Sequence, residues 1–459
     1  MTVNPILNTD SYKASHYLQY PPGTEAVFSY VEARGGPYAE ALFFGLQAIL
    51  KSAFARPVTR ADIEEAEGLL TAHGLPFHKA GWDLLLDRHG GHLPLEIRAQ
   101  AEGTVAPVHV PMMTVVNTDP DFFWLTSYVE TALLRVWYPV TVATISHGVR
   151  RVIRKALVAS ADVPDAELPF KLHDFGARGV SSEQSAALGG MAHLVNFQGS
   201  DTLSAIVAAR RFYHEPMAGF SIPAAEHSTI TSWERVNEAA AYENMIRAFS
   251  KPGGLFAVVS DSYDLFHAVE HLWGEQLRQK VVDCGATLVV RPDSGDPVEV
   301  VSKTVRLLAE RFGAEVNTKG YRVLNNVRVI QGDGVNPVSI QAILDRLLSE
   351  GFSASNIAFG MGGALLQKCD RDTMSFAYKA SAAKVNGVWR DVYKDPVTDS
   401  GKRSKRGLLG LAEGYRTVAV RDGDFQPVEG GVNLLEPVWR NGELLRDESL
   451  AQIRARAAG

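Results

Sequence analysis

The sequence predicts an α/β protein: an irregular β/α barrel with a flanking α+β domain built from both chain ends. Three observations carry this expectation. First, a short apolar run ending in glycine, acid, histidine or arginine, then helix-like sequence, recurs seven times: "FKLHDFGARG" (170–179), "HLVNFQGSDT" (193–202), "GFSIPAAEHST" (219–229), "LFAVVSDSYD" (255–264), "ATLVVRPDSGD" (286–296), "VRVIQGDGVN" (327–336) and "NIAFGMGGALL" (356–366). Second, the polar tips of these runs fall about 31 residues apart, the length of one strand–loop–helix unit. Such units in series give parallel strands with helical crossovers. Third, the two chain ends change character: 1–147 mixes apolar alternation ("LPLEIRAQAEGTVAPV") with an aromatic helix-like stretch ("DFFWLTSYVETALLRVWY"), and 381–459 reads as short strands joined by glycine turns. The expected division is therefore 1–147 and 381–459 for the flanking domain and 148–380 for the barrel.

In a β/α barrel the loops after the strands form the active face. The tips Asp174, Asp201, His227, Asp261, Asp293, Asp333 and Gly362 are then expected to converge on one mouth. Aspartate, glycine and serine after a strand are also ordinary turn formers and helix caps. Caps, however, do not call for His227, Arg178 and Arg291. In "IPAAEHSTITSW" (222–233) the acid Glu226 and the base His227 stand side by side, with small Ala224 and Ala225 before them and Ser228 and Thr229 after.

The last two loops, "VIQGDGVN" and "AFGMGGALLQ", are strand–glycine–helix transitions. Glycine lets backbone N–H groups approach an anion, and a barrel often holds phosphate with its last two loops. Asp261, Asp293, Asp296 and Asp333 offer hard oxygens, of which Mg²⁺ uses one or two beside substrate phosphate. Capping accounts equally for Asp296, and ribose hydroxyls are alternative partners for the acids. Arg371, Lys379, Lys394 and "GKRSKRG" (401–407) make the C-terminal side basic. They suit either a solvated surface loop or a mobile cationic loop closing over diphosphate. Phe175 and Tyr12 offer faces for a flat heteroaromatic ring. His89 and His92 lack an evident third ligand and are assigned to structure. Neither Cys284 nor Cys369 has a neighbouring base in sequence.

Composition narrows the class. The chain has 459 residues, 46% hydrophobic and 21% charged, with a formal net charge of −6. That balance disfavours a whole-protein nucleic-acid binder. Two cysteines are too few for a disulfide framework and suit a reducing compartment. The N-terminal stretch lacks the profile of a signal peptide, and no apolar run approaches the roughly 18 residues needed to span a bilayer. A cytoplasmic protein without a membrane partner is expected.

Taken in order, "TDSYKASHYLQYP", "KLHDFGARGVSS", "AHLVNFQGSDT", "IPAAEHSTIT", "VVSDSYD", "VRPDSGDP", "VIQGDGV", "NIAFGMGGALLQK" and "KDPVTDSGKRSK" resemble the nicotinamide phosphoribosyltransferases, from about residue 4 to beyond 440. The resemblance implies the reaction of nicotinamide with phosphoribosyl diphosphate to give nicotinamide mononucleotide and diphosphate, with Mg²⁺, as the entry to NAD salvage. It implies a homodimer whose active sites both subunits complete. Phe175 and a partner-chain Tyr12 would sandwich the pyridine, and Asp201 would accept from the carboxamide NH₂. Arg291 and Asp293 would meet the amide and ribose, with Asp261 among the substrate-binding acids. Gly332, Asp333, Gly362 and Gly363 would hold ribose and 5′-phosphate, and Arg371 and Lys379 would neutralise phosphate. Arg178, His227 and Arg291 would meet diphosphate. His227 would also be phosphorylated transiently by ATP, with Glu226 orienting its ring. Ala257, Ala364 and Ala377 depart from the family's pattern.

Three other classes stay open on the residues: a nicotinate-specific relative, which Asp201 argues against; a non-catalytic nucleotide-binding barrel, which has no use for His227; and a barrel lyase or aldolase, which wants a strand-end lysine that none of the seven tips supplies.

Overall fold

The computed structural model describes residues 4–398 and 403–458. The chain divides into two compact units: Ile145–Arg210 with Pro216–Lys368, and Met1–Thr144 with Arg211–Glu215 and Cys369–Gly459.

The first unit is the barrel. Its strands are Leu172–Asp174, Gly199–Ser200, Leu255–Val259, Thr287–Arg291, Val327–Gln331 and Ile357–Met361. All pair in parallel, and each lies beside its neighbours in the chain series. The segment between the second and third of them completes the ring. Phe220 bridges Gly199 and Ala224 bridges Ala257, both in parallel. Seven parallel stretches thus follow one another around the barrel, as the recurring pattern predicts. The buried stretches "FAVV" (256–259) and "LVV" (288–290) are continuously apolar because a barrel strand is covered on both faces. Outer helices bury one stripe each: in Pro297–Phe312 the buried residues include Val301, Val305, Leu308 and Phe312.

The barrel interior is hollow. Inward-facing Ala257, Val289 and Ile330 form a small apolar cluster with Phe175, Ile222 and Ala358. Four of these six also line a cavity of about 620 Å³.

The second unit is built on a seven-stranded antiparallel sheet drawn from both chain ends. The strand Thr24–Glu32 lies between Ala377–Val385 and Met113–Asn117, and Leu95–Ala99 carries the sheet on to Glu436–Arg440. One face packs a dense aromatic core, with Trp82 edge-on to Trp124 at 4.8 Å and to Tyr128 at 5.3 Å. His89 pairs with Asp119 at 2.8 Å, a structural contact.

Three boundaries differ from those expected, the first by only three residues, since the barrel unit begins at Ile145. Residues 369–380 belong to the flanking unit, because strand Ala377–Val385 is hydrogen-bonded to Thr24–Glu32. Residues 211–215 belong there too. Tyr213 stacks on Phe44 and donates its hydroxyl to the buried Glu102 at 2.8 Å. Among the described residues no helix is long and apolar enough to cross a membrane.

Candidate active site

The structure separates the acids that cap helices from those that do not. The helices after the strands are capped by Ser182, Asp264, Asp296 and Asn336, whose side chains accept the first free N–H groups. Asp296 is therefore structural, accepting from Val298 and Glu299. Asp174, Asp201, Asp261, Asp293 and Asp333 perform no such duty, so another explanation is required for each.

Phe175 follows the first strand and is tied to the last, its N–H donating to Met361 at 3.1 Å. Its ring rests on Gly360. A Cβ there would lie 1.9 Å from the ring, and one on Gly332 would lie 3.5 Å from it. Glycine at 360 thus makes room for an aromatic platform inside the barrel. Arg291 lies over the same ring, 5.7 Å from its centroid, and donates to Asp293 at 2.8 Å.

Asp293, Asp261 and His227 form the next cluster. Asp261 accepts the Asp293 N–H at 3.0 Å and the Ser294 hydroxyl at 2.5 Å through one oxygen. Its other oxygen is buried without a hydrogen-bond partner, as is Arg291 Nε. His227 Nε2 lies 3.4 Å from Asp293 and 3.8 Å from Asp261, and Nδ1 faces the Ser262 hydroxyl at 3.3 Å. Glu226 does not orient the imidazole: it accepts the Ser228 hydroxyl, and Ser262 takes the place expected for it. The reason is local, since Glu226 precedes the short helix His227–Thr231 and its side chain turns back onto that first turn.

Asp201 follows the second strand, its N–H donating to the Asp174 carbonyl at 3.0 Å. One carboxylate oxygen accepts the Ser221 hydroxyl at 2.5 Å. Asp174 lies buried beneath, accepting the Gly176 N–H at 2.7 Å. Burial pushes its carboxyl up to about 6, against the pull of that hydrogen bond and with the charge of Asp201 adding to the rise. Gly362 and Gly363 open the loop after the last strand, where a Cβ on Gly362 would touch the Phe175 carbonyl at 3.4 Å and Gly363 has open space. Asp333 is exposed, its carbonyl held by Gln331 at 2.8 Å. Arg178 is exposed in the single turn Ala177–Gly179.

The barrel unit therefore brings together Phe175, Asp201, His227, Asp261, Arg291, Asp293, Gly332 and Gly362 at its strand ends. Tyr12, Arg371 and Lys379 belong to the flanking unit. There Lys379 is held below the usual lysine range by burial, and by the nearby charges of Arg34, Lys394 and Arg371, against the opposing pull of Glu130. The basic run is less free than expected: Arg403 pairs with Asp395 at 2.6 Å, Lys405 with Glu32, and Arg406 with Asp391 at 3.8 Å. Gly401 and Lys402 of that run lie outside the described residues. Ala257, one of the departures, sits in the apolar interior cluster.

Sequence reasoning missed Gly360, Ser221 and Ser262. "AFGMGG" contains a signal for the first, a glycine inside a strand, which marks close approach by another group. The two serines carry no such sign.

Among the described residues no three side chains of His, Cys, Asp or Glu are arranged to hold a metal alone. Asp261 and Asp293 do fit Mg²⁺ as the one or two carboxylates it takes beside substrate oxygens, and the unpartnered Asp261 oxygen is a vacant hard donor.

Comparison with known proteins bears on this arrangement. The model of the Nicotinate phosphoribosyltransferase (NAPRTase) family matches residues 170–429, and that of the nicotinamide phosphoribosyltransferase N-terminal domain matches residues 4–97. The chain is 59% identical over 458 residues to "Nicotinamide phosphoribosyltransferase" of Xanthomonas campestris, covering 99% of this chain and 98% of that one. It is 33% identical over 500 residues to the protein of the same name from Acinetobacter baylyi, covering 99% and 97%. In fold it resembles the nicotinate-nucleotide pyrophosphorylase of Pyrococcus furiosus, with a TM-score of 0.61 at 16% identity over 99% of this chain and 94% of that one. Human nicotinic acid phosphoribosyltransferase gives 0.59 at 18% identity, over 98% and 92%.

Proposed function

Since the chain belongs to the nicotinamide phosphoribosyltransferase family, we infer that it joins nicotinamide to phosphoribosyl diphosphate, releasing diphosphate and forming nicotinamide mononucleotide for NAD salvage. The observation that carries the choice of pyridine is Asp201, an acceptor-only carboxylate that follows the second strand in register with Phe175 after the first. A carboxamide NH₂ complements it, whereas the carboxylate of nicotinate would be repelled.

The residues divide the work. Phe175 stacks the pyridine, with Tyr12 of a second copy covering the other face in a homodimer of shared sites. Arg291 reaches the ring and the departing diphosphate, and Arg178 adds a second guanidinium. Asp293 and Asp261 face the ribose, and Gly332, Asp333, Gly362 and Gly363 cradle its 5′-phosphate through backbone N–H groups. The partner's cations Arg371 and Lys379 neutralise phosphate charge. The pyridine nitrogen attacks ribose C1 with its own lone pair as diphosphate leaves, so the site needs positioning and charge stabilisation rather than a general base. Asp261 and Asp293 would hold Mg²⁺ together with substrate oxygens, and the ion would offset the charge of diphosphate. ATP hydrolysis is coupled through phosphorylation of His227, whose ring Ser262 orients. Two cysteines suit a reducing compartment, which favours the cytoplasm as the place of the reaction.

Incubating the protein with nicotinamide, phosphoribosyl diphosphate and Mg²⁺, with and without ATP, tests the reading. Nicotinamide mononucleotide should form, and ATP should raise its yield. His227→Ala should end ATP turnover and leave slow uncoupled transfer. Preferential formation of the nicotinate nucleotide, or no nucleotide at all, would overturn the assignment, and an ATPase retained in His227→Ala would move the phosphoryl acceptor elsewhere.

A further inference from the structure

Ser221 reaches Asp201 through backbone register. Gly199 and Phe220 form a parallel bridge. The Ser200 N–H donates to the Phe220 carbonyl at 3.0 Å, and the Phe220 N–H donates to the Gln198 carbonyl at 2.7 Å. Ser221 is the first residue past this bridge, and Asp201 is the first past its strand. The Asp201 backbone is pinned from the other side by its bond to the Asp174 carbonyl. With both main chains fixed, the serine hydroxyl meets one carboxylate oxygen at 2.5 Å. The second oxygen has no hydrogen-bond partner among the described residues.

The other polar neighbour is already committed. His173 packs against Gly199, and its Nε2 bonds to the Phe170 carbonyl at 3.1 Å. A carbonyl only accepts, so that nitrogen carries the proton. Burial disfavours the charged ring, which leaves Nδ1 an acceptor with no proton to offer Asp201. Among the described residues Ser221 is the one side chain that donates to Asp201.

We propose that Ser221 is a positioning residue for pyridine selection: its hydroxyl holds Asp201 so that the free oxygen faces the carboxamide, and it thereby sets the strength of the preference for amide over acid. This rests on Asp201 as the selector described above. A carboxylate with one fixed charge-assisted bond presents its remaining lone pairs in one direction; without that bond the side chain turns among rotamers and the amide loses a preorganised acceptor.

The test is the ratio of kcat/KM for nicotinamide over nicotinate in the intact enzyme and in Ser221→Ala, Ser221→Thr, Asp201→Asn and the double variant Asp201→Asn/Ser221→Ala. Ser221→Ala should lower the ratio about tenfold, the weight of one such hydrogen bond, chiefly through a higher KM for nicotinamide. Threonine keeps the hydroxyl and suits an extended segment, so Ser221→Thr should restore the ratio. Asp201→Asn should abolish the preference, and adding Ser221→Ala to it should change nothing further. A ratio unchanged in Ser221→Ala while Asp201→Asn loses it would overturn the role of Ser221 alone. An effect of Ser221→Ala that persists undiminished in the Asp201→Asn background would overturn it as well. A preference retained in Asp201→Asn would overturn both the selector and the positioning residue.

Discussion

The two units solve different packing problems. The flanking unit fills the space against its antiparallel sheet with large rings, Trp82, Trp124, Phe122 and Tyr128 among them, all buried. The barrel unit keeps its interior open: Ile222, Val289, Ile330 and Ala358, together with Phe170, Phe220 and Arg328, line a cavity of about 620 Å³. At its strand ends one polar atom each of Asp261 (a carboxylate oxygen), Arg291 (Nε) and Gln331 (Oε1) is buried without a partner. An unpartnered buried polar atom is costly. Such atoms occur in the flanking unit as well, Trp124 Nε1 and Gln100 Oε1 among them; what sets the barrel apart is that those on Asp261 and Arg291 cluster with His227, Asp293 and the Phe175 ring.

Substitutions sharpen the contrast. The largest effect is expected at the strand ends. Arg291→Ala removes the partner of Asp293 and the cation over Phe175, and steady-state kcat/KM should fall about thousandfold. In the flanking core, Trp82→Ala should cost about 4 kcal/mol of stability, read as a lower denaturation midpoint. Its kcat/KM for folded enzyme should stay within about twofold of the parent. Equal losses of activity from both variants would break the comparison.

Gly360→Ala lies between these cases. A methyl group 1.9 Å from the Phe175 ring must move the platform. A misplacement of that kind should lower kcat/KM for nicotinamide about hundredfold, measured with nicotinamide as the varied substrate.

The smallest effect is a pH dependence of stability. Asp174 keeps its proton up to about 6 in the folded state, against 3.8 for an ordinary aspartate. Between those values the folded protein binds more protons than the unfolded chain, so this group's contribution to stability falls as pH rises. Asp174→Asn removes that slope and preserves an acceptor for the Gly176 N–H. Urea unfolding should show the variant gaining about 2 kcal/mol on the parent between about pH 4 and about pH 7.

Much of the barrel is legible in the sequence because short apolar runs with polar tips recur at nearly constant spacing, even though the first two strands themselves are only Leu172–Asp174 and Gly199–Ser200. That signal delivers Asp201, His227, Asp293 and Gly362 to the strand ends without knowledge of any contact. It does not say which acid caps a helix. Asp293 and Asp296 look alike in "RPDSGD", and only the bonds to Val298 and Glu299 single out the second. Ser221 and Ser262 are invisible for a related reason: a hydroxyl gains meaning from what faces it across a turn or a bridge. The expected boundary at 380 fails because Ala377–Val385 pairs with Thr24–Glu32, a partnership between residues more than three hundred positions apart that no window along the chain can see.

A structure of the protein with nicotinamide mononucleotide bound measures the central claim, that the barrel's strand ends form the catalytic mouth. The pyridine should lie on Phe175 with its carboxamide against Asp201, and the phosphate should meet the Gly362–Gly363 loop. A nucleotide seated away from these residues, with Phe175 and Asp201 untouched, would contradict it.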